Sequence, residues 1–124
     1  MNDHIEKILK HIQEIETYWN FPIPQAYQTI LVKVFTSQSI IEVTDDENYW
    51  ISFYDSEQLL ERNQTYTIQD EAPEYLMIGQ NGDTGYFIFA QVWDFNLYAL
   101  GLGALGSLPF EIFSDDYRIV ICLD

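Results

Sequence analysis

Ile5, Ile8, Ile12, Ile15 and Trp19 recur at steps of three and four among charged and polar neighbours. That is the spacing of a helix that buries one stripe. Asn2 or Asp3 can cap its start, and Asn20 with Pro22 marks its end. A second helix is predicted from Pro24, whose locked φ suits a first turn. Tyr27, Ile30, Leu31, Val34 and Phe35 then share a face, although the β-branched residues of 29–35 also suit a strand.

From residue 40 the pattern changes to short apolar runs divided by turn residues. Segments 40–43 and 49–54 flank the polar turn 44–48 and read as a hairpin. Asp55 and Ser56 are natural caps for a short helix carrying Leu59 and Leu60. The rest of 57–74 is mostly polar and is expected to include exposed loop. Segments 75–78 and 86–92 form a second predicted hairpin around 79–85, where Asn81-Gly82 is a turn signal. A further strand is expected at 97–100. In the tail, Ser114-Asp115-Asp116 looks like a helix start whereas Ile119-Val120-Ile121 favours a strand, and both readings of 114–124 stay open. With no linker or internal repeat, 1–124 reads as one α+β domain, two N-terminal helices packed on a largely antiparallel β-sheet.

Composition supports a real core: 48% of the 124 residues are hydrophobic and 16% aromatic, unlike a disordered chain. The single cysteine, Cys122, sits in the apolar run 119–123, where a shielded thiol is expected. The first residues alternate charge with isoleucine, without the apolar stretch of a signal peptide, and no segment has the length of a membrane span. The chain is therefore expected in the cytoplasm, where the sequon Asn63-Gln64-Thr65 would be only a string match.

Charge changes the picture most. The net value is −15, and it is uneven. Residues 1–39 hold four acids against three lysines, while 40–124 hold sixteen acids against Arg62 and Arg118. Such a field repels nucleic acid and anionic membrane and attracts a basic protein. Solubility of an aromatic-rich chain explains the acidity equally well.

The order of the pieces resembles the SUKH superfamily, the Smi/Knr-type domain. Pro24-Gln25-Ala26-Tyr27 is similar to the opening of that family's second helix. The aromatic strand Tyr49-Trp50-Ile51-Ser52-Phe53-Tyr54, the short helix Glu57-Gln58-Leu59-Leu60, and then Asn63 and Tyr66 follow in the family's order. So do Leu76-Met77-Ile78-Gly79-Gln80-Asn81-Gly82 and the strand Tyr86-Phe87-Ile88-Phe89. The chain departs at Thr36-Ser37-Gln38, where the family has an Asn-Gly turn, and its C-terminal helix is represented only by Ser114-Asp115-Asp116-Tyr117. The resemblance implies a bacterial immunity protein that neutralises a polymorphic toxin, often a nuclease; other members look like regulatory interaction domains.

Catalytic readings fit the residues poorly. Gly101-Leu102-Gly103-Ala104-Leu105-Gly106 spells G-x-G-x-x-G, but the chain after it is too short for the helix, strand and acid of a dinucleotide site. His4 and His11 stand about 10 Å apart along a helix, too far to share a zinc ion. Asp45-Asp46-Glu47 lacks the ligand spacing of a calcium loop. No enzyme activity, metal or cofactor is expected. Trp50, Tyr54, Trp93 and Tyr98 suit either sheet core or interface anchors. The predicted partner-binding set is Asp45, Asp46, Glu47, Trp50, Asp70, Glu71, Glu74 and Trp93, acting on a protein partner, a basic toxin domain. A regulatory scaffold without a toxin is the alternative, and the sequence leaves the oligomeric state open.

Overall fold

The computed structural model describes residues 3–34, 40–44, 50–90, 95–107 and 109–121. Two helices, α1 (Asp3–Trp19) and α2 (Gln25–Val34), open the fold. Ile8, Ile12, Ile15 and Trp19 of α1 are all buried, as their spacing requires. The helix ends where Asn20 adopts a positive φ of 74°, a conformation asparagine tolerates, and returns its N–H to the Glu16 carbonyl at 2.8 Å. Glu16 also holds the connection to α2, its Oε2 accepting from the Ile23 N–H at 2.7 Å. Pro24 stands just outside α2, and its carbonyl accepts the N–H groups of Tyr27 and Gln28. The strand alternative for 29–35 loses through position 34, because burying Tyr27, Ile30 and Leu31 together needs the helical period. Phe35 lies outside the described residues.

The remainder is a meander. Six strands, β1 (Ile40–Thr44), β2 (Trp50–Tyr54), β3 (Tyr75–Asn81), β4 (Thr84–Phe89), β5 (Leu97–Gly101) and β6 (Glu111–Ser114), pair in chain order. Every neighbouring pair is antiparallel. The fold is thus α+β, N-terminal helices packed with an antiparallel sheet, as the pattern predicts. Register puts Ile51, Phe53, Leu76, Ile88 and Leu97 on one face, and all five are buried in one core with the stripe of α1 and with Tyr27 and Leu31 of α2. Among the described residues no helix is long and apolar enough to cross a membrane.

Several expectations are corrected. The helix expected after Asp55 runs longer, α3 (Ser56–Thr65), and a second, α4 (Ile68–Glu71), follows it, leaving 66–67 and 72–74 as the loop. Leu59 and Ile68 are both fully buried and anchor this polar segment, with Leu60 and Tyr66 packed against the same core. The hairpin loop is also tighter than 79–85. Asn81 pairs with Thr84, leaving Gly82-Asp83 as the turn, with Gly82 at φ 56°. Residues 111–114, given no strand from sequence, form β6, because pairing with β5 outweighs the absence of alternation. The tail resolves as a helix: α5 (Tyr117–Ile121) buries Tyr117 and Ile121 and sets Tyr117 edge-on to Tyr27, 5.7 Å between ring centres. Cys122 lies outside the described residues.

Asp55 caps α3 as predicted, its Oδ1 accepting the Gln58 N–H at 2.9 Å. Asp55→Ala should cost about 1 kcal/mol, measured as a shift of the urea midpoint with an unchanged slope.

Candidate functional site

Strand β2 leaves β3 early. The two strands pair only at Ser52–Gln80 and Phe53–Gly79, and the chain then turns into α3. A side chain on Gly79 would strike the Ser52 carbonyl and the Phe53 ring at 2.8 Å, so this crossing demands glycine. Beyond it, the edge of β3 would be left with unpaired backbone groups inside the protein, a costly state. Two side chains fill the gap. Asn63, fully buried, donates to the Met77 carbonyl at 2.9 Å and accepts the Met77 N–H at 2.9 Å, in the manner of a neighbouring strand. Its remaining N–H goes to the Leu59 carbonyl at 2.8 Å. Gln69 donates to the Tyr75 carbonyl at 2.7 Å and to Asn63 Oδ1 at 3.0 Å. The Asn63 amide is thus consumed, and no glycan could sit there in the folded state.

This clamp decides where the acids of α4 point. With Ile68 buried and Gln69 turned onto β3, Asp70 and Glu71 are exposed, as is Glu74 immediately before β3. Next to Glu74 the opposite sheet face carries an aromatic cluster. Tyr75 stacks on Phe110 with centres 3.7 Å apart and planes 8° from parallel, and meets Tyr98 edge-on at 5.5 Å. Phe89 adjoins both tyrosines, and the buried Phe87 lies beneath Tyr75 and Phe110. Tyr75, Phe89, Tyr98 and Phe110 are half-buried, so part of each ring remains available for contact.

The electrostatics are one-sided. Burial raises the Tyr75 hydroxyl pKa above its ordinary value, and Tyr98 and Glu74 add to the shift. Tyr18, on the exposed side of α1, is raised by burial and then by the charge of Asp70. Glu71 lies against the loop after β5, where a side chain on Gly106 would collide with its carboxylate. Both arginines of the acidic part are tied up: Arg62 to Glu61 at 2.7 Å, Arg118 to Asp116 at 2.8 Å. Arg62, through its hydrogen bonds, and Thr65 hold the Glu61 carboxyl down at about 2. A carbon-13 titration should find that midpoint, and Arg62→Ala should return it towards the ordinary carboxylate range. Because the folded value is depressed, any stability this pair contributes is present above the unfolded pKa and fades as pH falls towards 2; exposure keeps it small.

Of the predicted site residues, the structure brings together Asp70, Glu71 and Glu74. Asp45, Asp46, Glu47 and Trp93 lie outside the described residues. Trp50 opens β2 opposite Thr44, its side chain likewise outside the description. Tyr54 is buried with its hydroxyl on Gln80, the core half of its two readings. Sequence reasoning missed Tyr75, Phe89 and Phe110 as one surface. The alternation Tyr75-Leu76-Met77 and Phe87-Ile88-Phe89 could have suggested a common face for the first two, but Phe110 reaches it only through the loop.

His11 Nδ1 meets Ser56 Oγ at 2.8 Å, which links α1 to the first turn of α3. Ser56 is only 4% exposed, so the contact joins two helices and offers no access to a substrate. Among the described residues no group of three histidine, cysteine, aspartate or glutamate side chains could hold a metal ion. The G-x-G-x-x-G segment runs from the end of β5 through a 3-10 turn at Leu102–Ala104. The chain matches no protein-family model and no curated protein sequence.

Proposed function

We propose that this domain is an immunity protein that binds and neutralises a basic toxin domain, of the nuclease class, through the surface formed by α4 and the aromatic face of the sheet. The observation that carries the reading is the placement of exposed Asp70, Glu71 and Glu74 beside half-buried Tyr75, Tyr98 and Phe110, with both arginines of residues 40–124 already paired elsewhere. Partly exposed tyrosine and phenylalanine supply anchoring area, and surrounding carboxylates steer a cationic partner and form a polar rim. The ordered resemblance to the SUKH superfamily supports the same reading independently of charge. The protein acts by binding and excluding the toxin's substrate, so it needs no catalytic group of its own.

The test is direct. The reading frames beside this gene are screened for a toxin-like domain; such a domain is purified with and without the chain, and its cleavage of nucleic acid is measured. Stoichiometric inhibition is the expected result. Capture of a basic protein that is no toxin would favour the regulatory-scaffold reading instead.

A further inference from the structure

Gly101 is a glycine without a local reason. Its φ of −61° and ψ of 131° suit any residue, and no described atom lies within 4 Å of the place its side chain would occupy. It ends β5, where glycine weakens a strand by giving up side-chain contacts. Neither turn geometry nor close approach within this chain accounts for it. Gly101 instead helps to line a cleft of about 440 Å³, a size typical of ligand sites. Register shows why the space belongs to Gly101. Thr84 pairs with Gly101 and Ala99 with Glu111, so these four positions lie on one sheet face and all line the cleft. Ala104 and Pro109 close it from the loop.

The chemistry of the walls is specific. Ala99, Leu100, Ala104 and Pro109 give the cleft much of its apolar lining, and one carboxylate, that of the exposed Glu111, belongs to its wall. The cations of residues 40–124 are paired with Glu61 and Asp116, so neither of them neutralises Glu111. We propose that this cleft receives a lysine or arginine side chain of the partner protein, its aliphatic stem along Ala99, Ala104 and Pro109 and its cationic head at Glu111. Long cationic side chains combine these two needs, an apolar stem and a charged tip. The proposal rests on the toxin-binding reading only for the identity of the partner.

The probe is Nα-acetyl-arginine methylamide, titrated into the nitrogen-15-labelled chain, with the uncharged citrulline analogue as control. Saturable shifts should centre on Thr84, Ala99, Gly101 and Glu111, with citrulline at least tenfold weaker. Gly101→Leu, which places a side chain in the cleft, should abolish these shifts without lowering Tm. Glu111→Gln, a conservative change at an exposed site, should weaken binding about tenfold, and it decides the matter if the leucine variant does not fold. Equal shifts in Glu111→Gln, undiminished binding in folded Gly101→Leu, or a response spread evenly over Asp70, Glu71 and Glu74 would overturn the proposal. A silent probe alongside intact toxin inhibition removes the cleft alone; a responsive cleft with no toxin inhibited removes the toxin reading alone.

Discussion

Asn63→Ala should be the most damaging conservative truncation in the acidic part of the chain, lowering stability by about 2–5 kcal/mol. The Met77 N–H and carbonyl would lose their only cross-edge partner, and Leu59 and Gln69 would each lose a bond. Each buried group left unsatisfied costs about 1–3 kcal/mol, against a total stability of about 5–15 kcal/mol for an ordinary domain. A fall in Tm of about 10 °C or more is expected from thermal melts. Asn63→Asp separates hydrogen bonding from volume. Its carboxylate could still accept from Met77 and Gln69, but would face the Leu59 and Met77 carbonyls without protons to offer. Burial and those carbonyls would raise its folded pKa above the unfolded value of about 3.9. The sign follows from linkage. Relative to the parent chain, this variant should be least destabilised below that value and lose stability as pH rises through its folded pKa. A penalty that does not vary with pH would mean that water has entered and replaced the clamp.

Charge reversal on α4 and beside β3 should strike binding as strongly and leave folding alone. Asp70→Lys with Glu74→Lys is expected to slow association with the proposed basic partner tenfold or more at low salt and to flatten the salt dependence of the on-rate. Both residues are exposed, so Tm should move little, within about 0.5 kcal/mol of stability. Phe110→Ala should act on the other rate. It removes the ring stacked on Tyr75, and an interface anchor of that kind is worth about 2 kcal/mol or more, about a thirtyfold faster dissociation. Stopped-flow association at several salt concentrations and surface-based dissociation measurements separate the two. Unchanged rates in both variants would remove this face from the binding surface.

How far the residues themselves speak differs along the chain. The stripe Ile8, Ile12, Ile15 and Trp19 states both the helix and its buried side, because periodicity is a local property that survives in any context. Asp55 and Asn20 announce helix ends for the same reason: each bonds or adopts φ within its own turn. The hairpins were legible from their turns. The sharper Gly82-Asp83 turn was not, since the end of a strand depends on how far its partner continues to pair. Net acidity, too, is a property of composition.

What the sequence by itself determined, then, is the class of fold, the order and type of most elements, and the net charge. Only the tertiary structure decided the rest. Nothing local assigns Asn63 and Gln69 their hydrogen bonds; their role exists only because β2 diverges from β3 and leaves backbone groups to be satisfied. Tyr75 and Phe110 are thirty-five residues apart and meet because a loop returns across β5. Gly101 looks like one glycine of a flexible run until register shows the empty space in front of it. Caps and periods are contacts between near neighbours in the chain and can be read there. Edge satisfaction, ring stacking and clefts are contacts between distant segments, and they come into being only when the chain folds.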